Sequence, residues 1–82
     1  MEDAVIVSAA RTPVGVMGGA LGDVAAPQLG AVVIAEAIRR SGITADDVDE
    51  VFMGNVIQAG VGENPARQAA VFAGVPTRVP AM

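Results

Sequence analysis

The sequence predicts an α/β fold with parallel strands, because its apolar runs and breakers follow the order strand, helix, strand, helix. Composition agrees. Hydrophobic residues make up 52% of the chain, charged residues 17% and aromatic residues 2%, so burial rests on Val, Ile, Leu, Ala and Met, as in a parallel sheet between helices. The length of 82 residues allows one domain at most. A domain near this size buries only roughly 60% of its unfolded surface, so the chain reads as part of a larger α/β protein.

The first element is the run Ala4-Val5-Ile6-Val7-Ser8-Ala9, short, continuous and β-branched, which predicts a strand buried on both faces and central in its sheet. Residues 11–26 carry Pro13 and the glycines Gly15, Gly18, Gly19 and Gly22, too many breakers for a regular element, and predict a long irregular connection. Pro27 suits a first helical turn, and Leu29, Val32, Val33, Ile34, Ala37 and Ile38 continue a helix to Ser41. Arg39 and Arg40 favour its last turn, and Gly42 fits a left-handed cap. Thr44-Ala45-Asp46-Asp47 predicts a capped helical turn. Residues 48–57 return to a strand pattern, weakened by Gly54 and Asn55. After a loop with Gly60 and Gly62, Asn64 can cap and Pro65 can open a second helix, which Gly74 closes. The prolines Pro76 and Pro80 predict an extended tail, ending where a new strand should begin. The first helix should therefore cover a parallel sheet containing residues 5–8 and 51–56.

The formal charge of -4 and five basic residues that are all arginine leave no lysine cluster for phosphates, so no nucleic-acid partner is expected. Without cysteine there is no disulfide framework. The acidic opening Met1-Glu2-Asp3 has the wrong charge for a secretory or mitochondrial leader, and no apolar run approaches the roughly 20 residues that span a bilayer. A soluble, cytoplasmic protein with no membrane partner is expected.

His, Cys, Lys, Tyr and Trp are all absent, which removes most nucleophile and base arrangements and any metal site built on nitrogen or sulfur. Ser8 and Ser41 have no activating base and read as structural. The acidic group Asp46, Asp47, Asp49 and Glu50 lacks the spacing of a calcium loop and reads as a solvated turn. The glycines after the first strand do not form a dinucleotide fingerprint and read as sites of close backbone packing. No catalytic, cofactor-binding or metal residue is assigned. The most specific feature is Gly62-Glu63-Asn64-Pro65-Ala66-Arg67-Gln68, where a cap, an arginine and an amide share one helix start. Local chemistry favours a capped surface helix with Arg67 in solvent over a buried arginine.

Three stretches then carry a resemblance. Val5-Ile6-Val7-Ser8-Ala9-Ala10-Arg11-Thr12-Pro13-Val14-Gly15 resembles the opening of thiolases; residues 48–56 with Gln58-Ala59-Gly60 resemble the family's second strand and loop; and Asn64-Pro65-Ala66-Arg67-Gln68-Ala69-Ala70 resembles its next helix. The match is in register over essentially the whole chain. Glu63 departs from it, where many relatives carry Gln.

The resemblance implies the start of the thiolase fold, a layered αβαβα arrangement with a mixed sheet, and makes residues 1–82 a partial amino-terminal domain that stops before the nucleophilic cysteine motif. It implies acyl transfer between acyl-CoA and acetyl-CoA through a cysteine acyl-enzyme, within fatty-acid metabolism, by a protein whose 82 residues are inactive alone. No cofactor is implied, since coenzyme A arrives with the substrate. Partners implied are acyl-CoA and further copies of the chain in a homodimer or homotetramer, with Asn64, Arg67 and Gln68 at or beside the subunit interface. The main alternative is a thiolase-like protein that binds acyl-CoA or lipid without catalysis. Two others are a ketoacyl synthase of the same superfamily, with acyl-carrier protein as partner, and a stand-alone interaction module.

Overall fold

A computed structural model describes residues 3–82. The acidic start at Met1 and Glu2, read above against a leader, lies outside these residues. Two helices organise the chain. Helix α1 spans Ala26–Ser41, with Pro27 in its first turn, Arg39 and Arg40 in its last, and Gly42 in the left-handed region at φ 79°. This matches the expected element apart from a start at Ala26. Helix α2 spans Pro65–Phe72, capped by the Asn64 side chain. Between them Ala45–Asp47 forms a single 3-10 turn. Its lead residue Thr44 donates from both its backbone N–H (3.0 Å) and its hydroxyl (3.3 Å) to the Asp47 carboxylate, so this acidic group serves as a cap.

The two helices meet through small residues. A Cβ on Gly30 of α1 would lie 3.0 Å from the Ala69 Cβ of α2 and 3.3 Å from the Met53 sulfur, so the absence of a side chain sets the approach. Ala31, Ala66, Ala69 and Ala70 are buried at this seam. Beyond it, Ala70, Val75 and Val79 form a small core, bordered by Ile34, Ile38, Val48, Val51 and Ala81. Full burial of one such valine contributes about 1.5–3 kcal/mol, so so few large side chains give a modest hydrophobic term.

The tail closes this core on its open side. A parallel bridge joins Val51 to Ala81. Val51 N–H donates to the Pro80 carbonyl at 3.0 Å, Met82 N–H to the Val51 carbonyl at 3.0 Å, and Met53 N–H to the Met82 carbonyl at 2.9 Å. The expected start of a new strand at the end of the tail is thus reduced to this single bridge. The stretch before it differs from expectation, because Val79 N–H bonds the Pro76 carbonyl at 3.1 Å and the chain turns there. Pre-proline bias constrains only Val75 and Val79, which leaves residues 76–78 free to turn while both valines stay buried.

The expected strand at residues 5–8 is also corrected. These residues have no backbone pairing among the described residues, and Val5, Ile6 and Val7 are 76%, 91% and 65% exposed rather than central and buried. Nor do residues 5–8 pair with residues 51–56; the expected strand over residues 48–57 is reduced to the single bridge from Val51 to the tail, and its far end, Val56 and Ile57, is exposed. A strand is stabilised by a neighbouring edge and a covering face, and local sequence supplies neither. Two side-chain bonds hold this segment to α1: Ser8 Oγ donates to the Ala37 carbonyl at 2.7 Å, and an Arg40 guanidinium nitrogen donates to the Ala9 carbonyl at 3.0 Å. Residues 16–24 form successive tight turns, in keeping with the irregular connection expected. No helix among the described residues is long and apolar enough to cross a membrane.

Candidate functional site

The first turn of α2 gathers the three residues singled out from sequence. Asn64 sits in the left-handed region at φ 47°, which asparagine tolerates better than most residues. Its carboxamide acts at both ends. The oxygen accepts from the Arg67 backbone N–H at 3.0 Å, satisfying an orphan helix donor, while the nitrogen donates to the Ala81 carbonyl at 3.0 Å. Arg67 donates through one terminal nitrogen to the Val79 carbonyl at 2.7 Å and through the other to the Thr77 carbonyl at 3.3 Å. Gln68 turns the other way, and its amide nitrogen donates to the Val61 carbonyl at 2.8 Å and the Glu63 carbonyl at 2.9 Å.

Asn64 is exposed, and Arg67 and Gln68 are half-buried. The cap expected from sequence is present. Arg67, however, does not extend freely into solvent, because a planar guanidinium with several donors can satisfy two carbonyls at once. Gly62 completes the loop at φ 80°, and a Cβ there would meet the Gln68 amide nitrogen at 2.8 Å. One helix turn therefore fastens the loop before it and the tail after it. Arg78 adds a bond to the Asp46 carbonyl at 2.6 Å, tying the tail's turn to the 3-10 turn.

A second polar group lies at the end of α1. Glu36 accepts from Arg39 and Arg40, and these guanidinium contacts, the Arg39 hydrogen bond foremost, lower its pKa to about 2. The same contact raises the pKa of Arg39. Arg40 thereby links Glu36 to the amino-terminal segment through Ala9. An open cleft of about 710 Å³ beside it is lined by Ala9, Ala10, Arg11, Pro13 and Arg40.

Neither group brings a nucleophile to a base, since the chain has no thiol, imidazole or amine side chain. What the α2 turn can do chemically is donate hydrogen bonds to backbone. Sequence reasoning found the three residues and the cap but missed their acceptors. Asn64 and Ala81 are 17 residues apart, and nothing local marks that pairing.

Against known proteins, the family model described as "Thiolase, N-terminal domain" matches residues 4–82. An acetyl-CoA acetyltransferase of Cupriavidus necator is 60% identical over 82 residues, which is 100% of this chain and 21% of that protein. One of the same name from Pseudomonas aeruginosa is 54% identical over 82 residues, again 100% and 21%. A probable acetyl-CoA acyltransferase of Staphylococcus aureus is 51% identical over 81 residues, 99% of this chain and 21% of that protein. The chain thus spans about a fifth of the length of the curated relatives it matches.

Proposed function

The chain belongs to the thiolase family, in its amino-terminal domain, and from that premise we propose that the whole protein is an acetyl-CoA C-acyltransferase acting in the cytoplasm. The observation that carries this reading is the 60% identity, over the full chain, with a protein named acetyl-CoA acetyltransferase. In the proposed reaction a cysteine thiolate beyond Met82 attacks the thioester carbonyl of an acyl-CoA. The carbon–sulfur bond to coenzyme A breaks, coenzyme A leaves as the thiol after protonation, and the acyl group remains on the cysteine. A base removes an α-proton from acetyl-CoA, and the resulting carbanion attacks the acyl-cysteine carbonyl. A carbon–carbon bond forms, the cysteine leaves as thiolate, and 3-oxoacyl-CoA is released; thiolysis is the reverse. Each tetrahedral oxyanion requires preorganised donors, and a helix N-terminus beneath the cysteine favours its thiolate form.

Residues 3–82 act in this reading as scaffold. The layered αβαβα sheet assembles when further strands cover the exposed Val5, Ile6 and Val7 and extend the Val51–Ala81 bridge. Asn64, Arg67 and Gln68 lie beside the interface of a homodimer or homotetramer, with their donors turned inward to shape the surface offered to the partner. Coenzyme A enters as part of the substrate and no separate cofactor is required.

Acetoacetyl-CoA and coenzyme A supplied to the whole protein test the reading. Consumption of acetoacetyl-CoA and an acetylated cysteine peptide by mass spectrometry are the expected results, with no turnover by the 82-residue chain. Tight acyl-CoA binding without turnover or acetylation would instead establish a non-catalytic thiolase-like binder.

A further inference from the structure

The tail of the chain is held from both sides. In an extended segment successive carbonyls point to opposite edges. The carbonyls of Pro80 and Met82 face residues 51–53 and accept from Val51 and Met53 N–H groups. Those of Val79 and Ala81 face the other way, where a second strand would normally supply N–H donors. Here Arg67 and Asn64 supply them instead, at 2.7 and 3.0 Å. Arg67 also reaches the Thr77 carbonyl at 3.3 Å within the preceding turn.

We propose that Asn64 and Arg67 form a side-chain clamp that replaces a neighbouring strand along residues 79–81 and fixes the register and exit direction of the chain at Met82. Both donors come from the same helix turn, and that turn is itself seated by buried Ala66, Ala69 and Ala70. Buried Val79 holds the tail between the clamp and the core. A slip of the tail by one residue would aim the carbonyls of Val79 and Ala81 away from the clamp and lift Val79 from its pocket. This inference rests on the proposed function in one respect: if the nucleophilic cysteine follows Met82, Asn64 and Arg67 are positioning residues for it. Displacement of a reacting group by about 1 Å can cost on the order of 100-fold in rate.

The test uses the whole protein and isosteric variants. Asn64→Asp keeps the oxygen that caps α2 but loses the donor to Ala81, and Arg67→Lys keeps the charge but cannot span two carbonyls as the planar fork does. Gln68→Glu is the control, because it removes the donor to the loop and leaves the tail untouched. Amide hydrogen exchange reads the clamp directly. Both clamp variants are expected to speed exchange at Val51, Met53 and Met82 about five- to tenfold relative to the amides inside α2, and Gln68→Glu is not. Alkylation of the nucleophilic cysteine and a kcat against KM comparison read the consequence: a kcat lower by about tenfold or more, with KM for coenzyme A near the parent value. Exchange at the three bridge amides equal to the parent's overturns the clamp. Faster exchange with unchanged kcat and alkylation overturns the positioning role. If the parent itself has no turnover, the functional reading fails, while the exchange result still decides the clamp.

Discussion

Residues 5–8 and residues 79–82 both lie outside the helices, both are apolar in part, and both adjoin α1 or α2, yet their environments differ sharply. Val79 is 1% exposed and the tail has backbone partners on residues 51–53, whereas Ile6 is 91% exposed and its segment is held by two side-chain bonds to α1. Hydrophobicity alone does not separate them. The tail has near neighbours that can satisfy it: α2 lies a few residues upstream, and its first turn presents donors at the right height. The amino-terminal run has only the surface of α1, with neither a strand edge nor a covering face among the described residues.

The largest perturbation of this contrast is at the seam under the tail. Ala69→Leu introduces bulk where the Ala69 Cβ already lies 3.0 Å from the position of a Gly30 Cβ. Overpacking of this kind costs about 1–3 kcal/mol, and thermal unfolding by circular dichroism should show a midpoint at least about 4 °C lower. An unchanged midpoint would mean that the helices do not meet as described.

A smaller effect is expected from Gly62→Ala. The backbone there is left-handed at φ 80° and the new Cβ would press on the Gln68 amide, so a loss of about 1–2 kcal/mol in chemical denaturation is expected. The change should loosen the loop before α2 and spare the bonds to the tail, which sharpens the division of labour between Gln68 and the Asn64–Arg67 pair.

The smallest effect belongs to the amino-terminal side. With its pKa lowered to about 2, Glu36 stabilises the folded state above its ordinary value of 4.5, and this contribution is lost as pH falls from there toward about 2. Glu36→Gln removes the ionisation, so the variant's midpoint should fall less than the parent's between pH 5 and pH 2. Parallel pH profiles would show that Glu36 contributes nothing through its arginines. The pair is solvent-exposed and screened, so the difference should be modest and shrink in salt.

Much of the helical half was legible in the sequence because its signals are local. Pro27, Gly42, Asn64 and Pro65 mark helix ends by their own backbone chemistry, and the structure uses each at the expected place. Strand formation was not legible to the same degree. The run at residues 5–8 has the composition of a central strand, but pairing is a property of two segments and local sequence describes one. The turn at residues 76–79 escaped for a related reason, since burial of Val75 and Val79 and the reach of Arg67 and Arg78 outweigh the extended bias of the prolines. At the α2 turn the residue types were readable and their acceptors were not. Asn64 could be recognised as a cap, but its second bond, to Ala81, becomes visible only once the tail is placed against the helix.

Amide hydrogen exchange on the 82-residue chain and on the whole protein tests the contrast most directly. In the short chain, the amides of Val51, Met53 and Met82 should exchange at least about tenfold more slowly, relative to their intrinsic rates, than those of residues 5–8. In the whole protein, residues 5–8 should gain protection as neighbouring strands cover them, while the three bridge amides keep theirs. Protection of residues 5–8 in the short chain equal to that of the bridge, or a bridge that exchanges freely in both, would contradict the account.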